Sequence, residues 1–189
     1  MQRGILISAI AIIFVLVAPA GAQVKPFKKT LTLQGVTFNI SCPNDSSINQ
    51  VTVTTRGLAR NEVIKREFEG TVIEAEVADL NIDGSPELYI YGTSAGSGSY
   101  GQFLGLATLR KRSIAEIYLP ELAEGSKEAQ GYMGHDEFTV IESTFVRRFP
   151  IYKPGDSNAK ATGGTRQIQY KLKAGENGYI LAVDKVVEY

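Results

Sequence analysis

The chain is poor in the groups that usually carry catalysis or staple a small exported fold. Cys42 is the one cysteine and His135 the one histidine in 189 residues. A lone cysteine excludes an internal disulfide, and one His with one Cys cannot complete a zinc site of three or four N/S ligands. There is no surplus of charge either: 20 basic residues face 20 acidic ones. That balance argues against nucleic acid, which is normally held by a strongly basic face, and against electrostatic binding to a membrane surface. No internal repeat and no linker divides the chain. A core without disulfides has to hold by packing alone, and this length suffices to bury one. Cys42 reads best as a small buried apolar residue, with pairing between two chains as the alternative.

What is present begins with a segment unlike the rest. Arg3 is followed by the apolar or small run Ile5–Val17, then Ala18-Pro-Ala-Gly-Ala22. Ala20 and Ala22 suit the −3 and −1 positions of a signal-peptidase site, which makes Gln23 the expected mature N-terminus. The run of about 13 residues falls short of the ~20 that a spanning helix needs. No cysteine stands at the cleavage point to mark a lipoprotein. The expectation is a signal peptide over residues 1–22, one domain over 23–189, and a periplasmic or secreted location with no membrane attachment after cleavage. Loss of Arg3 leaves 19 basic residues against 20 acidic.

The remaining chain alternates with period two. Leu31, Leu33, Val36, Phe38 and Ile40 read as strand with a bulge or bend at Gly35, and Ser41–Gln50 as a loop. Val51 and Val53 begin a strand that fades at Arg56-Gly57. Glu62–Phe68 and Thr71–Leu80 resemble a hairpin closed at Glu69-Gly70, with Ile73, Ala75 and Val77 on one face and Glu74 and Glu76 on the wet one. Glu87–Tyr91 places Leu88 and Ile90 opposite Tyr89 and Tyr91. Phe103–Leu109 pairs with Ile114–Leu119, and Pro120–Gln130 holds the one plausible helical turn. Phe138–Phe145, Thr165–Lys173 and Tyr179–Glu188 alternate again, and Lys153–Gly164 is a long loop. Eight to ten short strands with frequent turn signals predict a single all-β domain, an antiparallel β-sandwich or a barrel.

The densest group of special residues is Asp79–Gly101, DLNIDGSPELYIYGTSAGSGSYG. Asp79, Asn81, Asp83 and Gly84 match the opening of a calcium loop, oxygen ligands at alternate positions and glycine at the bend. Position twelve, where an EF-hand needs glutamate, is Ile90, although Glu87 at position nine can substitute. The plainer reading is a tight structural turn, so no metal is assigned. Ser94–Gly101 is neither a phosphate loop, lacking Gly-Lys-Ser/Thr and a following helix, nor a nucleophile elbow. It is either a flexible connection or a binding tip, and Tyr100 favours contact, since tyrosine on a small-residue loop binds at low entropic cost.

No catalytic constellation emerges. Ser97 or Ser99 with His135 and Asp136 is conceivable as a triad, but adjacent residues on a strand point to opposite faces. His135 reads as a turn residue, and no carboxylate spacing points to glycoside chemistry. Arg110-Lys111-Arg112 and Arg147-Arg148 read as solvated turns or strand edges. The chain is expected to be a binding protein without cofactor.

Taken in order, the export signal, DLNIDGSPELYIY, SAGSGSYG and RRFPIYKPGDSNAKATGGTRQIQYKL resemble the periplasmic lysozyme inhibitors of the invertebrate-type (i-type) class, over about Leu31 to Glu188. The resemblance implies an antiparallel β-sandwich, a homodimer, and lysozyme as protein partner. It further implies that Ser97, Gly98, Ser99 and Tyr100 enter the lysozyme cleft. Such a cleft holds one protonated and one ionised carboxyl, which a serine hydroxyl and loop N–H groups can meet through charge-assisted hydrogen bonds. A second contact loop is expected from Gly131–Asp136, with Tyr132 and His135, or from Thr162–Arg166.

Overall fold

The structure is a computed structural model that describes residues 25–189. The expected signal peptide, residues 1–22, and Gln23 lie outside the described residues. The described chain is all-β, with no helix among the described residues. Twelve strands form two sheets, more than the eight to ten expected.

The first sheet is an antiparallel meander of β1 (Phe27–Leu33), β2 (Val36–Cys42), β3 (Ile48–Arg56) and β4 (Val63–Glu69). The bend expected at Gly35 is a hairpin turn: Gln34 and Gly35 both have positive φ, 50° and 82°, and Leu33 pairs with Val36. Two left-handed residues in succession match the twist of the flanking strands. Alternation then points Val36, Phe38, Ile40 and Cys42 inward. The Cys42 thiol is buried and donates to Asn44, and burial raises its pKa.

The second sheet contains β5 (Thr71–Ala78), β6 (Glu87–Thr93), β7 (Gly101–Leu109), β8 (Ser113–Tyr118), β9 (Glu137–Ile141), β10 (Thr144–Pro150), β11 (Thr165–Gly175) and β12 (Gly178–Glu188), in the spatial order β5-β6-β7-β8-β12-β11-β10-β9. Every pair is antiparallel except β12 with β8. The first sheet packs on β5–β7, where Val36, Phe38, Val51 and Val53 meet Val72, Ala75, Leu88 and Ile90. The second sheet curls around its own core of Tyr89, Phe145, Phe149, Ile168, Tyr170 and Leu181. β6 is thus covered on both faces, Leu88 and Ile90 to one core, Tyr89 and Tyr91 to the other.

Residues 62–80 are not the hairpin that their spacing suggests. β4 pairs with β3 and β5 with β6, and Gly70 alone links the two sheets. Gly70 has φ 84°, and a Cβ there would lie 2.0 Å from the Thr93 carbonyl oxygen. The corner needs glycine for both reasons. Asn44 ties the sheets together by bonding Val72 twice, accepting from its N–H at 3.0 Å and donating to its C=O at 2.9 Å. A register shift between Val72 and Glu74 throws Ile73 out to 56% exposure, against the alternation that put it beside Ala75. A bulge resets strand parity.

Glu76 is not on a wet face either. The curled sheet brings its two edge strands together, and Glu76 Oε2 accepts from the Val140 N–H of β9 at 2.8 Å and from the Tyr91 hydroxyl at 2.7 Å. A side chain thereby closes the seam between β5 and β9. The helical turn expected over residues 120–130 is a series of irregular turns instead. Arg166, 3% exposed, clamps it by donating to the carbonyls of Glu128 and Gln130 at 2.9 and 2.6 Å.

Candidate functional site

The Ser-Gly loop connects β6 to β7. Ser94 N–H donates to the Tyr100 carbonyl at 2.8 Å, and Tyr100 N–H to Ser94 Oγ at 3.1 Å. Within the loop Ser99 N–H reaches the Gly96 carbonyl at 3.0 Å, with Ser99 in the left-handed region at φ 45°. A flexible connection would leave the outer carbonyls to water, but here each has a protein donor. Asn158 Nδ2 donates to the Ser97 carbonyl at 2.7 Å, and His135 N–H lies 2.9 Å from the Gly98 carbonyl and 3.2 Å from that of Ser99. At the base, Gly101 N–H donates to Asp136 Oδ2 at 2.6 Å.

The arrangement leaves several donors of the loop unpaired among the described residues. Ser97 is exposed, Tyr100 is 46% exposed, and the hydroxyls of Ser97 and Ser99 bond no other group among the described residues. The N–H groups of residues 95–98 also find no partner among the described residues. Gly98 permits the fold of the tip, because a Cβ there would sit 2.5 Å from the Tyr100 ring. That ring stands edge-on to Tyr132, centroids 5.7 Å apart. Gly134, at φ 88°, lets the neighbouring turn approach the Gly98 carbonyl, which a Cβ would meet at 2.0 Å.

Behind the loop lies a charge cluster that strand alternation was not expected to bury. Arg147 is 6% exposed, not solvated. Its Nε donates to Asp136 Oδ1 at 2.6 Å and its Nη2 to the Tyr132 hydroxyl at 2.8 Å, while that hydroxyl donates to Asp136 Oδ2 at 2.6 Å. Burial weighs against the charge on Arg147, but Asp136 beside it holds the pKa above the ordinary value. A sequence signal for this existed: Phe145, Arg147 and Phe149 share one face of β10, and a cation between two inward phenylalanines must have a buried partner.

Of the two candidate second loops, residues 131–136 lie directly against the Ser-Gly loop through His135. In the second, Arg166 is held inside by Glu188 Oε1 at 2.7 Å and the two backbone carbonyls. Sequence reasoning missed Asn158, which lies in the long loop after β10 and also contacts His135 Nε2 through Oδ1 at 3.3 Å. The Asp136 carboxylate takes its three donors from Arg147, Gly101 and Tyr132, and not from His135.

The acidic turn is built on the other end of β6. Asp79 accepts the N–H groups of Asp83 and Gly84, and Asp83 accepts that of Ser85. Glu87, 1% exposed, accepts from Leu80 N–H at 2.8 Å and from the Tyr89 hydroxyl at 3.3 Å. One oxygen from each of Asp79, Asp83 and Glu87 can be grouped within 4.8 Å. Burial, reinforced by Asp79 and Asp83, pushes the Glu87 carboxyl up to about 7. An acid whose pKa is raised on folding binds more protons folded than unfolded between the two values. Stability from this residue is therefore complete below pH ~4.5 and is lost as pH rises to about 7, by roughly 3 kcal/mol. Melts from pH 5 to 8 are expected to fall for the wild type and to stay flatter for Glu87→Gln.

In comparisons with known proteins, no protein-family model matches this chain and no curated protein sequence matches it.

Proposed function

We propose that this protein is an exported, non-enzymatic inhibitor of lysozyme, i-type above the other classes. In this reading it occupies the active-site cleft with Ser97, Gly98, Ser99 and Tyr100. The observation that carries the reading is the division of labour in the loop: carbonyls of residues 97–99 are held by protein donors, while the hydroxyls of Ser97 and Ser99 and the N–H groups of residues 95–98 have no partner among the described residues. A preformed tip loses little conformational freedom on insertion. Its donors suit the paired carboxyls of a glycosidase cleft, and Tyr100 suits the rim where a sugar ring would stack. The resemblance also brings a homodimer and delivery to the periplasm or cell exterior. The test is a titration of residues 23–189 against i-type, chicken-type and goose-type lysozymes, scored by lysis of a peptidoglycan suspension. Ser97→Ala and Tyr100→Ala are each expected to weaken inhibition of the target class at least tenfold with an unchanged melting temperature, since hot-spot truncations cost about 2 kcal/mol or more. Full activity of both variants, or no inhibition of any class by the wild type, overturns the reading.

A second reading is a calcium-stabilised envelope module for glycans or peptides. It is favoured by the convergence of Asp79, Asp83 and Glu87, with Asn81 beside them donating to Asp83 at 3.0 Å. Oxygen ligands of this kind suit a hard cation, and these residues would hold it. Melts at pH 7.5 in calcium and in chelator separate the readings: equal midpoints dismiss the second.

A further inference from the structure

Beside the Ser-Gly loop the second sheet splits. β7 pairs with β6 from Gly101 to Ala107, but with β8 only from Gly105, whose partner is Ile117. The Tyr100 carbonyl faces Ser94 at the root of β6, and the Gly101 N–H turns away to Asp136. Alternation in an antiparallel ladder then directs the main-chain groups of residues 101, 103 and 105 toward β8. Gly105 is paired there, whereas Phe103 meets no strand among the described residues. After Tyr118 the chain swings off through residues 119–122. The opening between is a cavity of about 560 Å³, with Tyr100, Phe103, Tyr118, Leu122, Tyr132 and Arg147 in its wall. This lies within the usual range for small-molecule sites, about 300–1,000 Å³.

The wall sets the chemistry of an occupant. Tyr100 and Tyr118, 46% and 60% exposed, offer ring surface at the cavity. Phe103 contributes an open N–H and an open C=O on the same side of the strand, of which a trans amide can meet one, its oxygen accepting from the N–H. Leu119, Leu122 and Phe138 give it an apolar side. The charges disfavour an anion. Arg147 is neutralised by Asp136 and Glu116 is paired with Arg66, leaving Glu121, which forms no ion pair among the described residues. Glu116, Glu121 and Gln102 instead present acceptors for hydroxyl groups.

We infer that this cavity is a saccharide site for uncharged N-acetylated hexosamines. The sugar face lies against the exposed tyrosines, the acetamido group meets the Phe103 main chain with its methyl toward Leu122, and the hydroxyls reach Glu121 and Gln102. Because Tyr100 belongs to both the cavity and the tip of the loop, the saccharide and a partner protein share that residue.

The test needs no lysozyme, so its failure is read separately from failure of the inhibitor reading. The ¹⁵N-labelled chain, residues 23–189, is titrated with tri-N-acetylchitotriose, with cellotriose as the trisaccharide lacking acetamido groups. Saturable amide shifts at residues 101–104 and 118–122 with the first sugar alone are expected. Tyr118→Ala, on the surface, should weaken binding about fivefold, roughly 1 kcal/mol. Leu122→Trp, which fills the cavity, should abolish it. The assignment is overturned by the absence of shifts in those segments, by equal shifts with cellotriose, or by undiminished affinity of Tyr118→Ala. Shifts produced only by an acetylated trialanine methylamide would overturn it in favour of strand addition by an extended peptide.

Discussion

Replacing Asp136 with alanine is expected to destabilise the fold by about 3–5 kcal/mol, the usual cost of leaving one member of a buried ion pair uncompensated. The side chain of Asp136 is fully buried and that of Arg147 is 7% exposed. The loss is compounded by orphaning the Gly101 N–H and the Tyr132 hydroxyl, which have Asp136 Oδ2 as acceptor. Since whole domains are stable by about 5–15 kcal/mol, this is a large share of the total, and urea unfolding followed by circular dichroism should show a clearly lowered midpoint. Asp136→Asn, which keeps an acceptor, should lose less. The double change Asp136→Leu with Arg147→Met should recover part of the loss, because an apolar pair avoids desolvating a charge. An unfolding free energy for Asp136→Ala within about 1 kcal/mol of wild type would show that the cluster is hydrated and not a sealed pair.

The second large effect is expected at Gly134, and it separates stability from function. Alanine there adopts the left-handed region at a cost of about 1–2 kcal/mol, and its Cβ meets the Gly98 carbonyl oxygen at 2.0 Å. The neighbour is backbone and cannot rotate aside, so the loop tip must shift. Global unfolding should change by that modest amount, while amide exchange at residues 97–99 accelerates and, on the proposed function, lysozyme inhibition falls well beyond tenfold. Unchanged inhibition together with unchanged exchange would show that the tip is not seated on the 131–136 turn.

The strands were largely legible because one face of each is buried. Val36, Phe38, Ile40 and Cys42 announce β2, and the two-sided burial of β6 follows from Leu88 and Ile90 opposite Tyr89 and Tyr91. Partnership between strands was not legible. Glu69-Gly70 reads as a hairpin turn by composition, and only the crowding of Gly70 against Thr93 reveals a passage between sheets. Periodicity likewise says nothing of a bulge, so Ile73 was placed on the wrong side.

The loop was visible as a sequence, but its rigidity was not, because its supports come from far along the chain. Asp136 is 35 residues from Gly101, and Asn158 is 61 from Ser97. Arg147 was read as a solvated strand-edge cation, and Arg166 as part of a possible contact loop, because charge outweighed parity. Both stand at inward positions, Arg147 between Phe145 and Phe149 and Arg166 two residues before Ile168.

The place of β12 has a consequence for how the molecule is made. It is the last of the strands to leave the ribosome, yet it lies between β8 and β11, in the interior of the larger sheet. The meander β5–β8 and the ribbon β9–β11 have no other strand to join them on that side. Until the final strand is available the two halves can form only as separate, open-edged pieces, and the curled core they share stays unsealed.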